Sequence, residues 1–145
     1  MLLGALFLFA RHRDFAKFEH YMNQARCQVM SQLSAAAMES YSRAYPSLVK
    51  LHKLYEIEKM CQLLQEDDVD QRQNLMKEWR WDVRLKLLTP SVSIHDEVLT
   101  SRRAAFRILG MTTERGETWL HAAKLARASG NMQLASAAVM NAKLN

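Results

Sequence analysis

The chain has 145 residues, 49% apolar and 24% charged, an ordinary globular composition that argues against a disordered chain. Only four Gly and two Pro, with nine Met, favour helix over sheet, and the expected fold is all-α. The formal charge of +5 is spread over Arg11, Arg13, Arg80, Arg84, Arg102, Arg103, Arg107 and Arg127 among acids; with no basic run and no aromatic-interleaved strand, direct nucleic-acid contact is not expected.

In chain order, Met1 to Ala10 is an apolar run resembling a secretory core. It lacks a basic lead, falls short of the ~20 residues of a membrane span, and meets Arg11-His12-Arg13 at once. We read it as a packed helix from Leu2 to about Arg11, with neither signal peptide nor membrane partner expected. Asp14 caps a second helix that carries Phe15, Phe18, Met22, Ala25 and Val29 at helical spacing. From Ser34 to Leu64 the residues are nearly all helix formers, and Tyr45-Pro46 predicts a kink or a break with Pro46 in the first turn of a new helix. That helix spreads Leu48, Leu51, Leu54, Tyr55, Ile57, Cys61 and Leu64 over an arc too broad for one neighbour.

Residues 66–70, Glu-Asp-Asp-Val-Asp, predict a solvated acidic linker with its carboxylates near the next helix N-terminus. A calcium loop would need a central Gly and a terminal Glu. Around Trp79 the pattern has two faces: Trp79, Val83 and Leu87 share one, and Trp81, Leu85 and Leu88 the other. Either the helix is sandwiched or one face awaits a partner. Thr89-Pro90 ends it, and Ser93 with Asp96 predicts a capping-box start for the next helix, whose stripe is Ile94, Val98, Ala105 and Leu109, widened by Leu99 and Phe106. Arg103 and Arg107 are expected to point away. Arg102 projects into the apolar arc, where it either meets a carboxylate or carbonyl or snorkels outward. After Gly110, with Thr112 or Thr113 as the start, a final hairpin is expected: Trp119, Ala123 and Ala126 on one helix, a turn at Gly130-Asn131, and Ala135, Ala138, Val139 and Ala142 on the other. Pairing Ala10-Arg11 with Ala126-Arg127, and so Asp14 with Gly130 and Phe18 with Leu134, makes the two ends variants of one unit.

No catalytic set is found. The glycines stand alone at 4, 110, 116 and 130, so no phosphate-cradling loop exists, and His12, His20, His52, His95 and His121 form no HExxH pair. Each histidine reads as a surface or satisfied helix residue. Cys27 and Cys61 belong to no CxxC or Cys/His cluster and read as small core hydrophobes. No enzyme activity, metal or cofactor is expected.

Met38-Glu39-Ser40-Tyr41-Ser42-Arg43-Ala44-Tyr45, followed by the helix Val49 to Glu58, resembles the FAT region of the phosphatidylinositol-3-kinase-related kinases. Trp81 to Leu85, His95 to Ala104, Glu117 to Leu120 and Ala126-Arg127 are most similar to the ATR checkpoint branch of that family. The resemblance implies a TPR/HEAT-like α-solenoid of antiparallel helical hairpins, 1–145 being one segment of a longer solenoid that clamps a nuclear serine/threonine kinase domain. It places the kinase domain and FATC tail beyond Asn145. The partners it implies are that kinase domain and neighbouring repeats, in cis or from another chain. The candidate interface or structural residues are Tyr41, Arg43, Tyr45, Trp79, Trp81, Arg102, Arg103 and Trp119, with the Trp79/Trp81 helix the better interface candidate and Trp119 the core one. The rival is a free-standing TPR-like adaptor.

Overall fold

Helices are started and stopped by short polar links, as the low glycine and proline content requires. The computed structural model describes residues 2–144. Among them are eight helices and no strand: α1 (Leu2–His12), α2 (Phe15–Ala37), α3 (Tyr41–Gln65), α4 (Val69–Glu78), α5 (Trp81–Lys86), α6 (Val92–Leu109), α7 (Thr112–Ala128) and α8 (Met132–Lys143). The fold is all-α and solenoid-like in its succession of helical hairpins. Two compact units are distinguished, Met1–Leu75 and Met76–Asn145.

In the first unit α3 packs against both α1 and α2, which its broad apolar arc demanded. α2 and α3 run antiparallel: Lys50 donates to Gln32 at 3.3 Å, and Arg26 pairs with Glu58 at 2.9 Å further along. Leu6, Phe9, Phe18, Met22, Leu54 and Met60 are buried, and the Phe9 and Phe18 rings lie 5.4 Å apart. Asp14 caps α2, accepting from the Lys17 amide at 3.1 Å. Cys61 is buried, and burial, with Glu58 nearby, pushes its thiol up to about 12. Cys27 is exposed, against expectation. It sits on the outer side of α2, between Met22 and Val29 in sequence but off their stripe.

The break expected at Tyr45-Pro46 lies earlier, at Met38–Ser40. Ser40 is extended and its hydroxyl accepts from the Arg43 amide at 3.3 Å, so a capping serine starts α3 ahead of the proline. Pro46 is exposed and sits inside α3, close to its start. It forfeits a single backbone bond there, the one its amide would have donated to Ser42.

The acidic segment is a loop at 66–68 followed by Asp70 in the first turn of α4, whose amide donates to Asp68 at 2.9 Å. The two-faced helix is then corrected: α4 ends at Glu78, and α5 restarts at Trp81 after Arg80 in the left-handed region, φ 46°. Trp79 and Trp81 belong to a corner and not to opposite faces of one rod. α6 begins at Val92 behind Ser91, so Ser93 lies inside the first turn and bonds to the Ser91 hydroxyl at 3.0 Å. The extended backbone at Ser91 sets the boundary.

In the second unit α6 packs on α7 and α7 on α8. Gly110 ends α6 in the left-handed region, φ 70°, which glycine enters at no steric cost. Gly130 does the same at φ 78°, and the Asn131 side chain accepts from the Leu134 amide at 3.1 Å, as expected. The repeat pairing is right in kind and wrong by one residue. Asp14 corresponds to the capping Asn131, and Arg13, left-handed at φ 54°, corresponds to Gly130. That register matches buried Leu6, Phe9 and Phe18 with buried Ala123, Ala126 and Ala135, whereas Leu134 is 50% exposed. Val139, expected in the seam, is 38% exposed; the close alanine seam leaves no room for it.

Candidate protein interface

The eight candidate residues divide between the two units. In the first, the Ser40 cap fixes the opening turn of α3, and Tyr41 stands on it 71% exposed with its ring 5.8 Å from that of Tyr45 one turn on. Arg43 pairs with Glu39 across the cap, with both side chains exposed. The motif therefore builds a capped helix start with an aromatic pair on its surface, and its ion pair contributes at most about 1 kcal/mol.

In the second unit the corner at Arg80 does the positioning. On an unbroken helix, residues two apart diverge by about 200°. The left-handed turn instead brings the Trp79 and Trp81 rings to 5.9 Å, edge to face. Trp81 then meets Phe106 of α6 at 6.1 Å, again edge to face, geometry that adds about 1 kcal/mol beyond burial. Arg102 is 4% exposed. Its Nη2 donates to the Trp81 carbonyl at 3.0 Å, and its guanidinium lies 5.3 Å from the centre of the Trp81 ring. Of the two fates open to Arg102, the carbonyl partner is the one realised, and it ties α6 to the corner.

Arg103 does not point away. Its side chain is only 12% exposed and lies 4.2 Å over the Trp119 ring of α7, with Nη2 donating to the Thr100 hydroxyl at 2.6 Å and forming an ion pair with Asp96 at 3.6 Å. Burial pushes the guanidinium down, opposed by Asp96. A planar cation over an indole is satisfied without facing water, so helical phase alone misplaced it. Trp119 is partly buried and packs against Leu99, Ala122, Ala123 and Ala138. Trp81 Nε1 and Arg103 Nη1 are buried without a hydrogen-bond partner in this structure.

Two features escaped the sequence. Glu56 is 2% exposed inside α3 and meets His52 Nε2 at 2.8 Å; an i,i+4 His/Glu pair within an apolar arc was the available signal. A groove of about 500 Å³ runs between α7 and α8, lined by Leu120, Met132, Val139 and Met140 together with the seam alanines Ala123 and Ala135. Among the described residues no group of three or more His, Cys, Asp or Glu is placed to hold a metal, and no helix is long and apolar enough to cross a membrane.

The FAT domain family model matches residues 2–144. The serine/threonine-protein kinase ATR of Oryza sativa subsp. indica is 30% identical over 149 residues, covering 98% of this chain, and that of Arabidopsis thaliana is 30% identical over 150 residues, covering 90%. The serine/threonine-protein kinase TOR of Oryza sativa subsp. japonica is 29% identical over 144 residues, covering 94%. The chain spans about 6% of the length of each of these relatives. No solved structure matches it. With the family model spanning 2–144 and the ATR kinases similar along nearly the whole chain, this protein belongs to the FAT domain family.

Proposed function

We propose that the chain is a non-catalytic helical scaffold that packs against the kinase domain of an ATR-like serine/threonine kinase, as one segment of a longer solenoid. The observation that carries this reading is the FAT family match over 2–144, joined to ATR relatives of which the chain is about 6%. The helical hairpins supply a rigid, repeat-built surface of the kind used to hold other domains. In this reading Tyr41, Arg43 and the Trp79–Trp81 corner meet neighbouring parts of the kinase, while Arg102, Arg103 and Trp119 hold the second unit together. Nuclear checkpoint signalling in response to DNA damage belongs to the same proposal, as the role of the whole kinase.

The test is to exchange the matching segment of the rice ATR kinase for this chain and measure phosphorylation of a Ser/Thr substrate. Activity retained by the exchange and lost on deletion of the segment is expected. A kinase that is fully active and unchanged in assembly without the segment would overturn the proposal.

A further inference from the structure

The corner at Arg80 lies in a stretch that has no local reason to turn. Residues 69–88 contain no glycine, proline, serine or threonine, so the sequence supplies neither the breakers nor the hydroxyl caps that stop and restart a helix. Arg80 stands at the cap position of α5 without a side-chain cap bond, left-handed at φ 46° and ψ 57°, a conformation that costs any residue with a Cβ. The turn at Arg13 is also left-handed, but there Asp14 caps the helix that follows. With Arg80 in the ordinary helical region, the last turn of α4 would run straight into α5. The amides of Trp81, Asp82 and Val83, which as the first three of α5 have no intrahelical acceptor, would then reach the carbonyls of Lys77, Glu78 and Trp79.

What opposes this is aromatic packing. In the corner the Trp79 ring meets Trp81 at 5.9 Å, edge to face, whereas on a continuous helix the two side chains would diverge by about 200°. Trp81 is the fixed member: Arg102 donates to its carbonyl at 3.0 Å, the Arg102 guanidinium lies 5.3 Å from its ring centre, and Phe106 meets the ring at 6.1 Å. Trp79 docks on that platform. No residue of α4 is buried, so little packing holds its last turn in place. We infer that Arg80 is a two-state hinge whose left-handed corner exchanges with a straight helix, and that the Trp79–Trp81 contact is its latch. Strain that a sequence does not require persists only where surrounding contacts impose it, and such places are where switches are built. The latched form presents two indoles as one patch and the straight form separates them, so a partner that needs either surface selects the state. Trp79, Arg80, Trp81, Arg102 and Phe106 all lie in the second unit. The inference stands on them and not on the kinase-scaffold reading, and the segment-exchange experiment can fail or succeed without touching it.

The test works at Arg80 itself, which is exposed, and leaves every contact residue in place. Arg80→Val introduces a β-branched side chain that the left-handed region excludes and a helix accepts; Arg80→Gly does the reverse. Two measurements on the 145-residue chain report the state. Indoles as close as Trp79 and Trp81 couple their excitations, and the resulting couplet in circular dichroism is read as the difference from Trp79→Phe. Hydrogen exchange of the Trp81, Asp82 and Val83 amides reports the helical bonds. Expected for Arg80→Val are loss of the couplet and about tenfold slower exchange of those three amides, in proportion to the left-handed cost. Arg80→Gly is expected to keep both the couplet and the wild-type exchange rates. Should Arg80→Val lose helix content throughout, Trp79→Ala, which removes the latch and leaves Arg80, decides by the same three amides, slower exchange supporting the hinge and unchanged or faster exchange overturning it. A couplet that survives Arg80→Val, faster exchange of the three amides in that variant, which marks fraying and not a straight helix, or loss of the couplet in Arg80→Gly would each overturn the inference.

Discussion

Where α1 turns into α2, the seam is filled by Leu6, Phe9 and Phe18; where α7 turns into α8, the equivalent places hold Ala123, Ala126 and Ala135, and buried Met22 has its counterpart in the outward-facing Val139. The turns are of one kind, a left-handed residue followed by a side-chain cap, Arg13-Asp14 in one and Gly130-Asn131 in the other. A shared turn therefore does not dictate a shared seam. Large interdigitating side chains give the first unit its stability through buried area, about 25 cal/mol per Å². Small residues give the second hairpin close helix approach. A Cβ added at Gly116 would meet the Ala142 carbonyl at 3.6 Å. The cost of closeness is that the larger apolar residues of α7 and α8 face outward, where they make the groove.

The contrast is sharpest in substitutions of opposite sense. Leu54, 1% exposed, is predicted to cost about 3 kcal/mol as Leu54→Ala, by transfer loss plus cavity, measured by urea unfolding. A loss under about 1 kcal/mol would mean that the neighbouring helices collapse onto the void and the large-residue core of the first unit is loosely packed. Ala138, 2% exposed, is predicted to fail in the other direction: Ala138→Leu overpacks the alanine seam and costs about 2 kcal/mol. If Ala138→Leu is neutral, the seam has spare room and the comparison breaks.

Trp119→Ala comes next, at about 2 kcal/mol. A fully buried tryptophan would cost about 3 to 5 kcal/mol, but Trp119 is only partly buried, between the alanine cluster and the Arg103 guanidinium. A loss in the higher range would show that the Arg103 stack seals the indole from water. The turns differ by less. Gly130→Ala forces a side chain into φ 78° and is predicted to cost about 1 kcal/mol. Arg13→Gly relieves the same strain at φ 54° but removes the Nη1 bond to the Leu64 carbonyl at 2.6 Å, so a change near zero is expected. A clear gain there would show that the bond to α3 contributes nothing.

Helices were legible because their punctuation is local. Asp14, Gly110, Gly130 and Asn131 each act within a few residues of themselves, and each performs the role that its type and position predict. Arg102 was legible for a related reason: a cation on an apolar stripe must find a partner, and only the partner's identity, the Trp81 carbonyl, required the fold. What failed was what a neighbouring helix decides. Arg103 lies off its own helix's stripe yet is covered by Trp119 of α7. Val139 lies on its stripe yet faces outward, since alanine on the facing helix draws the seam closer. The corner at Arg80 was hidden because arginine carries no signature of a left-handed backbone, and the start of α3 was misplaced because Pro46 is a louder signal than the serine that caps it. The FAT motif was readable as residues in order, but no interface was readable from it, since exposed Tyr41 has the same appearance with or without a partner.

The smallest predicted effect separates the units by pH. His121 on α7 is partly buried, and burial first, then the Lys124 and Arg102 cations, hold its pKa below the ordinary 6.5, against weaker opposition from Glu117 and Asp82. The folded chain therefore takes up a proton at this site at lower pH than the unfolded chain does. Between the two pKa values the unfolded state binds more protons, so the second unit loses stability as pH falls below 6.5 and keeps it above. Amide hydrogen exchange along α7, followed from pH 7.5 to 5.5 with correction for intrinsic rates, reads this as falling protection. His121→Gln removes the titration, and its α7 protection is expected to stay level over that range. If the wild-type and His121→Gln profiles coincide, or if wild-type protection rises on acidification, His121 is not held below its ordinary pKa in the folded chain, and neither its burial nor the Lys124 and Arg102 cations govern its protonation.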